Sequence, residues 1–162
     1  MVMKYVVAGT SPLSWWSKSV HILLKEAIIA KWTTDILDPP VAYVNFNETW
    51  FTDSADLEFT FEFIREEPKE RSIGWNRYNY ATFVAVHMWV KGSSVSEEPD
   101  YVHKCKTAFE NLIELNNRTL LAPAIVTIDH ADQIKDPDHR QHIYHYEFDI
   151  TVWYDRVKVN VP

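Results

Sequence analysis

Two stretches of the sequence alternate in polarity with a period of two, and they constrain the fold more than any other feature. Over Leu57–Glu66, Leu57, Phe59, Phe61 and Phe63 share one parity, while Glu58, Thr60 and Glu62 share the other. Over His142–Val157, Tyr144, Tyr146, Phe148, Ile150, Val152 and Tyr154 alternate with His145, Glu147, Asp149, Thr151, Trp153 and Asp155. Successive side chains of a strand point to opposite faces, so each stretch predicts a strand with one buried and one wet face. Tyr80–Lys91 is different. Thr82, Val84, Val86 and Met88 on one parity face Ala81, Phe83, Ala85 and Trp89 on the other. That pattern predicts a central strand covered on both sides, or one whose second face meets a partner. Val41–Phe46 and Ala124–Ile128 read as short strands, and Met1–Ala8 as a strand or an extended arm.

Two segments carry the helical period instead. Val20, Leu23, Leu24, Ala27 and Ile28 form one apolar stripe, widened by Ile22 and Ile29, which predicts a helix over about Ser14–Trp32. It must stop before Asp38-Pro39-Pro40, because a residue preceding proline avoids the α region. Val102, Cys105, Phe109, Leu112, Ile113 and Asn116 form a second stripe, predicting a helix over Pro99–Asn116. The Glu97-Glu98-Pro99-Asp100 segment places acids at its positive end. Glu67–Asn79, between two strong strands, reads as a loop longer than a hairpin needs. The order is arm, helix, three strands, helix, two strands. It predicts an α+β fold of one domain over residues 1–162, with 1–13 as the arm. The expected architecture is a mostly antiparallel sheet of about four to six strands, with both helices on one face.

Composition narrows the function. Three glycines in 162 residues leave no room for a glycine-rich phosphate loop or a dinucleotide fingerprint. A single cysteine excludes an intramolecular disulfide and a cysteine-based zinc cluster. The net charge of −7 disfavours a protein that must neutralise nucleic-acid phosphates, so no sequence-specific nucleic-acid binding is expected. The longest apolar runs, such as Phe83–Val86, are too short to cross a membrane as helices. The apolar N-terminal stretch is also short for a signal sequence, which points to the cytoplasm.

Candidate chemistry is sparse. His130, His139, His142 and His145 lie near Asp129, Asp132, Asp136, Asp138, Glu147 and Asp149, residue types that ligate metals. On a strand beginning at His142, however, His142 and His145 have opposite parity, and His145 with Glu147 gives only two ligands on one face. Cys105 falls on an inward helical stripe, the setting of an inert buried thiol. No serine sits in a G-x-S-x-G elbow, and His87 on the two-sided strand reads as a satisfied sheet or interface histidine. These observations predict no catalytic residues, no cofactor and no metal, so the chain is not expected to be an enzyme. The acidic residues Glu58, Glu62, Glu147 and Asp149 read as a solvated sheet face, or as a negative wall that repels DNA. The seven tryptophans form either a thick aromatic core with its rim or assembly contacts. Trp50, Trp75, Arg77 and Tyr78 are the interface candidates, because aromatic residues and Arg are enriched at binding hot spots.

The helix Val20-His-Ile-Leu-Leu-Lys-Glu-Ala-Ile-Ile-Ala-Lys-Trp32, the strands after it, the helix Tyr101–Asn116 and the closing strands Ala124–Ile128 and His142–Tyr154 follow one order. Over about residues 14–157 that order resembles the tail terminator and tail-completion proteins of long-tailed bacteriophages, the minor tail protein U-like group. The resemblance implies a homo-oligomer, a hexameric ring that caps the tail tube and joins it to the head. It also implies other tail or neck proteins as partners, a lumen for DNA to which Glu58, Glu62, Glu147 and Asp149 would contribute, and location in a virion assembled in the host cytoplasm. The arm Met1–Leu13 and the tail Lys158–Pro162 exceed that core pattern. Two other readings compete. One is a small α+β ligand-binding or hydrolytic domain with an aromatic-lined pocket, in which His142, His145 and Glu147 would be inspected first. The other is a monomeric adaptor that binds through Trp-rich loops.

Overall fold

The alternating stretches become the spine of one sheet. The computed structural model describes residues 2–7, 18–32, 41–45, 55–71, 77–92, 100–134 and 142–161. Along the chain these form β1 (Val2–Val7), α1 (Val20–Lys31), β2 (Val41–Asn45), β3 (Leu57–Arg71), β4 (Arg77–Lys91), α2 (Asp100–Leu115), β5 (Ile125–Ile134) and β6 (Ile143–Val161). The strand order is β1-β6-β4-β3-β2, and β5 also pairs with β6. Arg156 and Val157 pair with both β1 and β4, so β1 and β5 follow one another along the edge of β6 that β4 leaves open. All pairings are antiparallel except β2 with β3, which run parallel. The fold is therefore α+β with a mostly antiparallel sheet, as the alternation requires.

Both helices cover one face of this sheet. The even-numbered residues of β4 and β6 and the odd-numbered residues at the start of β3 point into it. They form a single core with Leu24 and Ile28 of α1 and with Val102, Cys105, Phe109 and Ile113 of α2. A chain of rings crosses this core. Trp32 meets Phe59 edge-on at 5.4 Å, Phe59 lies 5.4 Å from Phe109, and Phe109 lies 4.5 Å from Phe148. Offset and edge contacts of this kind add to the hydrophobic gain of burying the rings. Phe61 and Phe148 sit in one row on either side of Val86, so β4 separates the strands that carry them.

Several boundaries differ from the sequence expectation. Helix α1 starts at Val20 rather than near Ser14, with Ser19 extended (φ −71, ψ 153) at its N-cap. Lys18, outside the helix, reaches Glu26 at 2.8 Å. The expected Glu67–Asn79 loop is mostly strand, because β3 runs on to Arg71 and β4 already begins at Arg77. Register shifts between Phe63 and Arg65 and between Pro68 and Glu70 explain why alternation there was hidden. Each bulge adds a residue and resets the parity. Strand β5 likewise continues to Ile134 past a shift between Ile128 and His130, and β6 continues to Val161 to pair with β1.

His21 was not among the expected core residues, yet it is 2% exposed and its ring lies 5.7 Å from that of Phe63. Burial lowers its pKa below the ordinary imidazole value of 6.5. The unfolded chain therefore binds a proton at a pH where the folded chain resists one. The His21 contribution is complete above the unfolded pKa and is lost as pH falls below it. A His21→Leu variant should consequently lose less stability than the wild type between about pH 7.5 and about pH 5. Urea melts at the two pH values check this, and equal losses would show that His21 does not contribute.

Candidate functional site

The face opposite the helices carries the polar parity of the same strands. In one row Glu58 of β3, Trp89 of β4, His145 of β6 and Ile134 of β5 stand side by side. In the next are Thr60, His87, Glu147 and Asp132, and then Glu62, Ala85, Asp149 and His130. The strands thus gather all four acidic candidates around two histidines that lie 58 residues apart in sequence.

This face is not uniformly wet. Glu58 (1% exposed), His87, Trp89 and His145 are buried, while Asp149, Asp132, His130 and Asp129 are exposed and Glu62 and Glu147 are intermediate. The expected exposed surface therefore excludes Glu58, although its parity is the expected one. The buried half is a stack with an internal hydrogen-bond chain. Trp89 lies 4.5 Å from the His145 ring and 5.5 Å from the His87 ring, nearly parallel to both. His87 Nδ1 and His145 Nε2 are 2.8 Å apart, and His87 Nε2 is 3.4 Å from Glu62 Oε2. A neutral pair satisfies this chain when His145 donates through Nε2–H to His87 Nδ1 and His87 donates through Nε2–H to the Glu62 carboxylate. Sequence reasoning placed His87 in the sheet but did not pair it with His145. The usable signal was the apolar second parity of Tyr80–Lys91, which demands a cover on that side.

The exposed half is acidic and tied to hydroxyls. Asp129 accepts hydrogen bonds from Thr127 Oγ1 at 3.1 Å and from Thr151 Oγ1, and Trp153 Nε1 donates to Thr127 Oγ1 at 3.2 Å. His130 Nε2 lies 2.8 Å from Asp132 Oδ2. Further along β3, Arg65 and Lys69 both bind Glu67, at 2.6 and 2.7 Å, and both lie over the Phe83 ring. The hydrogen bonds from Lys69 and then Arg65 hold the Glu67 carboxyl below the usual carboxylate range.

Among the described residues, no group of three or more His, Cys, Asp or Glu side chains is arranged to hold a metal ion. His145 points into the buried stack, whereas His142 precedes β6 at φ 53. His139, Asp136 and Asp138 lie outside the described residues. Protein purified without a histidine tag is expected to carry less than one equivalent of zinc, iron or manganese. A tight equivalent lost in His145→Ala would overturn that expectation. A groove of about 690 Å³ lies at the far end of the sheet, lined by Lys69, Asn79, Tyr80, Trp153 and Tyr154 among others. It is aromatic, but His142, His145 and Glu147 are not in its lining. Cys105 is fully buried in the core. Of the interface candidates, Trp50 and Trp75 lie outside the described residues. Arg77 and Tyr78 open β4, opposite Val157 and Arg156.

One further feature is apolar. Strand β2 pairs with β3 only over Glu58–Glu62, so among the described residues β3 has no outer neighbour from Phe63 onward. Phe63 (42%) and Ile64 (45%) are exposed at the start of that stretch.

No family model matches the sequence, and no curated protein matches it. Among solved structures, the chain is similar to the sheath/tube terminator of an extracellular contractile injection system (PVC) in its extended state, seen by cryo-electron microscopy. The identity is 12% and the TM-score 0.43, over 89% of this chain and 58% of that one. The chain thus spans less than two thirds of that protein's length, and a likeness of this strength leaves the functional reading to the chain's own geometry. No helix among the described residues is long and apolar enough to cross a membrane.

Proposed function

We propose that the protein is a structural assembly protein of a phage tail or tail-like particle, a ring-forming terminator or head–tail joining component. The observation that carries this reading is the outer stretch of β3, with Phe63 and Ile64 exposed beside backbone groups that no described strand pairs. An open apolar edge invites another chain. Beyond Ile64 the edge carries the charged run Arg65–Arg71 with Pro68 and a second bulge, features that discourage pairing, so the contact is confined to the apolar start at Phe63 and Ile64. The other side of the sheet ends in β5 and β1, which run antiparallel to β6, as β4 does, and so run opposite to β3. Copies placed side by side in one orientation would therefore bring β3 of one against β5 or β1 of the next in antiparallel sense. A head-to-tail contact of that type closes into a ring when its rotation closes.

The interface in this reading includes Phe63, Ile64, Arg77 and Tyr78 on the β3–β4 hairpin and Trp75 between its strands, with Trp50 on the segment before β3. The acidic strip of Glu62, Glu147, Asp149, Asp129 and Asp132 faces the lumen, where negative charge keeps DNA from adhering to the wall. No residue performs a chemical step. The element-order resemblance supports six copies, neighbouring tail or neck proteins as partners, and location in the particle. Electron microscopy of the purified protein across a concentration series tests the reading. Closed rings of one diameter support it and give the copy number, whereas monomers at every concentration count against it.

A further inference from the structure

We infer that Glu62, His87 and His145 form a proton-sharing latch across β3, β4 and β6. The latch takes up one proton intact and separates on taking a second, so that acid loosens this face of the sheet. The inference is independent of any assembly role.

The geometry leaves little alternative for the facing nitrogens. His87 Nδ1 and His145 Nε2 are 2.8 Å apart, so one must donate and the other accept. A neutral pair meets that condition, and so does a pair with one added proton, because an imidazolium can donate to a neutral imidazole. Glu62 Oε2 lies 3.4 Å from His87 Nε2, and Trp89 stacks on both rings, where its π face attracts a cation. A second proton makes both facing nitrogens donors. It also sets two positive rings 5.1 Å apart between buried side chains, where their repulsion is poorly screened.

The charges near the pair are mostly acidic. Glu58 and Glu62 face it from β3, Glu147 and Asp149 from β6, and Asp132 from β5. Lys91 shares the face of β4 two residues beyond Trp89, and Arg65 and Lys69 lie further along β3, bound to Glu67. His130 is bound to Asp132. The register positions of β2 beside these rows are Val41, Tyr43 and Asn45. With the facing nitrogens 2.8 Å apart, there is no room for an acceptor between the two rings once both are donors.

Nitrogen NMR of the imidazoles over a falling pH series tests the latch on the intact chain. At neutral pH a coupling across the N–H···N bond should join His87 to His145. It should persist while the pair gains one proton and vanish as the second arrives, together with a shift of the Trp89 indole resonance. Absence of the coupling at neutral pH, with each ring gaining its proton independently, overturns the proposal. A His145→Phe variant keeps a ring on Trp89 but removes the shared bond. In it His87 should gain its proton in one step, and the Trp89 resonance, still stacked on His87, should follow that single step. A separate second-stage shift at Trp89 that persists in the variant would also overturn the proposal. Should that variant fail to fold, the wild-type coupling alone decides.

Discussion

Replacing Phe148 by alanine is expected to lower the unfolding free energy by about 3–5 kcal/mol. Phe148 is fully buried, its ring lies 4.5 Å from that of Phe109 of α2 at a tilt of 42°, and it stands in the row Phe61–Val86–Phe148 beneath the helices. The loss has two parts, the transfer free energy of the ring and the cavity left behind. The second part should be near its maximum here. Strand β6 is held on one side by β4 and on the other by β5, with Ala131 opposite Phe148, so the backbone cannot collapse into the space. Urea denaturation of the purified variant measures the effect. A loss below about 1 kcal/mol would mean that Phe148 does not face the core, because a slip of one residue exchanges the two faces of a strand.

The sequence made the helix-covered face readable and left most of the other face hidden. Period-two alternation marks which side chains share a face, and it placed Phe59, Phe61, Phe148 and Ile150 correctly in the core. The helical stripe of α2 was equally legible, with Val102, Cys105, Phe109 and Ile113 all buried. Alternation does not say what covers the polar parity. Glu58 and His145 looked wet because one face of an antiparallel sheet usually is, yet both flank Trp89 in one row and are buried with it. The histidine pair was out of reach for a different reason. His87 lies opposite Glu147 and His145 opposite Trp89, so their contact is diagonal and depends on a register that spacing within one strand cannot supply. The bulges hid the rest. Beyond Phe63 the parity resets, and the charged run Arg65–Arg71 then reads as loop although it pairs with β4 to its end.

The bulge at Ile64 leads to the second large effect. On the proposed ring reading, an Ile64→Asp variant is expected to fold with stability within about 0.5 kcal/mol of the wild type and to form no rings. The register passes over Ile64, since Phe63 pairs with Val84 and Arg65 with Phe83, and its side chain is 45% exposed. Folding therefore draws little from it. An interface that closes over the outer edge of β3 would instead bury the new carboxylate, and an unpaired charge in a desolvated contact costs several kcal/mol. Because each copy in a ring uses the same contact, the cost recurs at every junction. Leu115→Asp provides the control. Leu115 is 83% exposed at the end of α2, away from β3, and the same change there should leave both folding and rings intact. Melting curves and electron microscopy of the two variants at equal concentration separate the outcomes. Rings that persist in Ile64→Asp but disappear in Leu115→Asp would move the interface from the edge of the sheet to the end of α2.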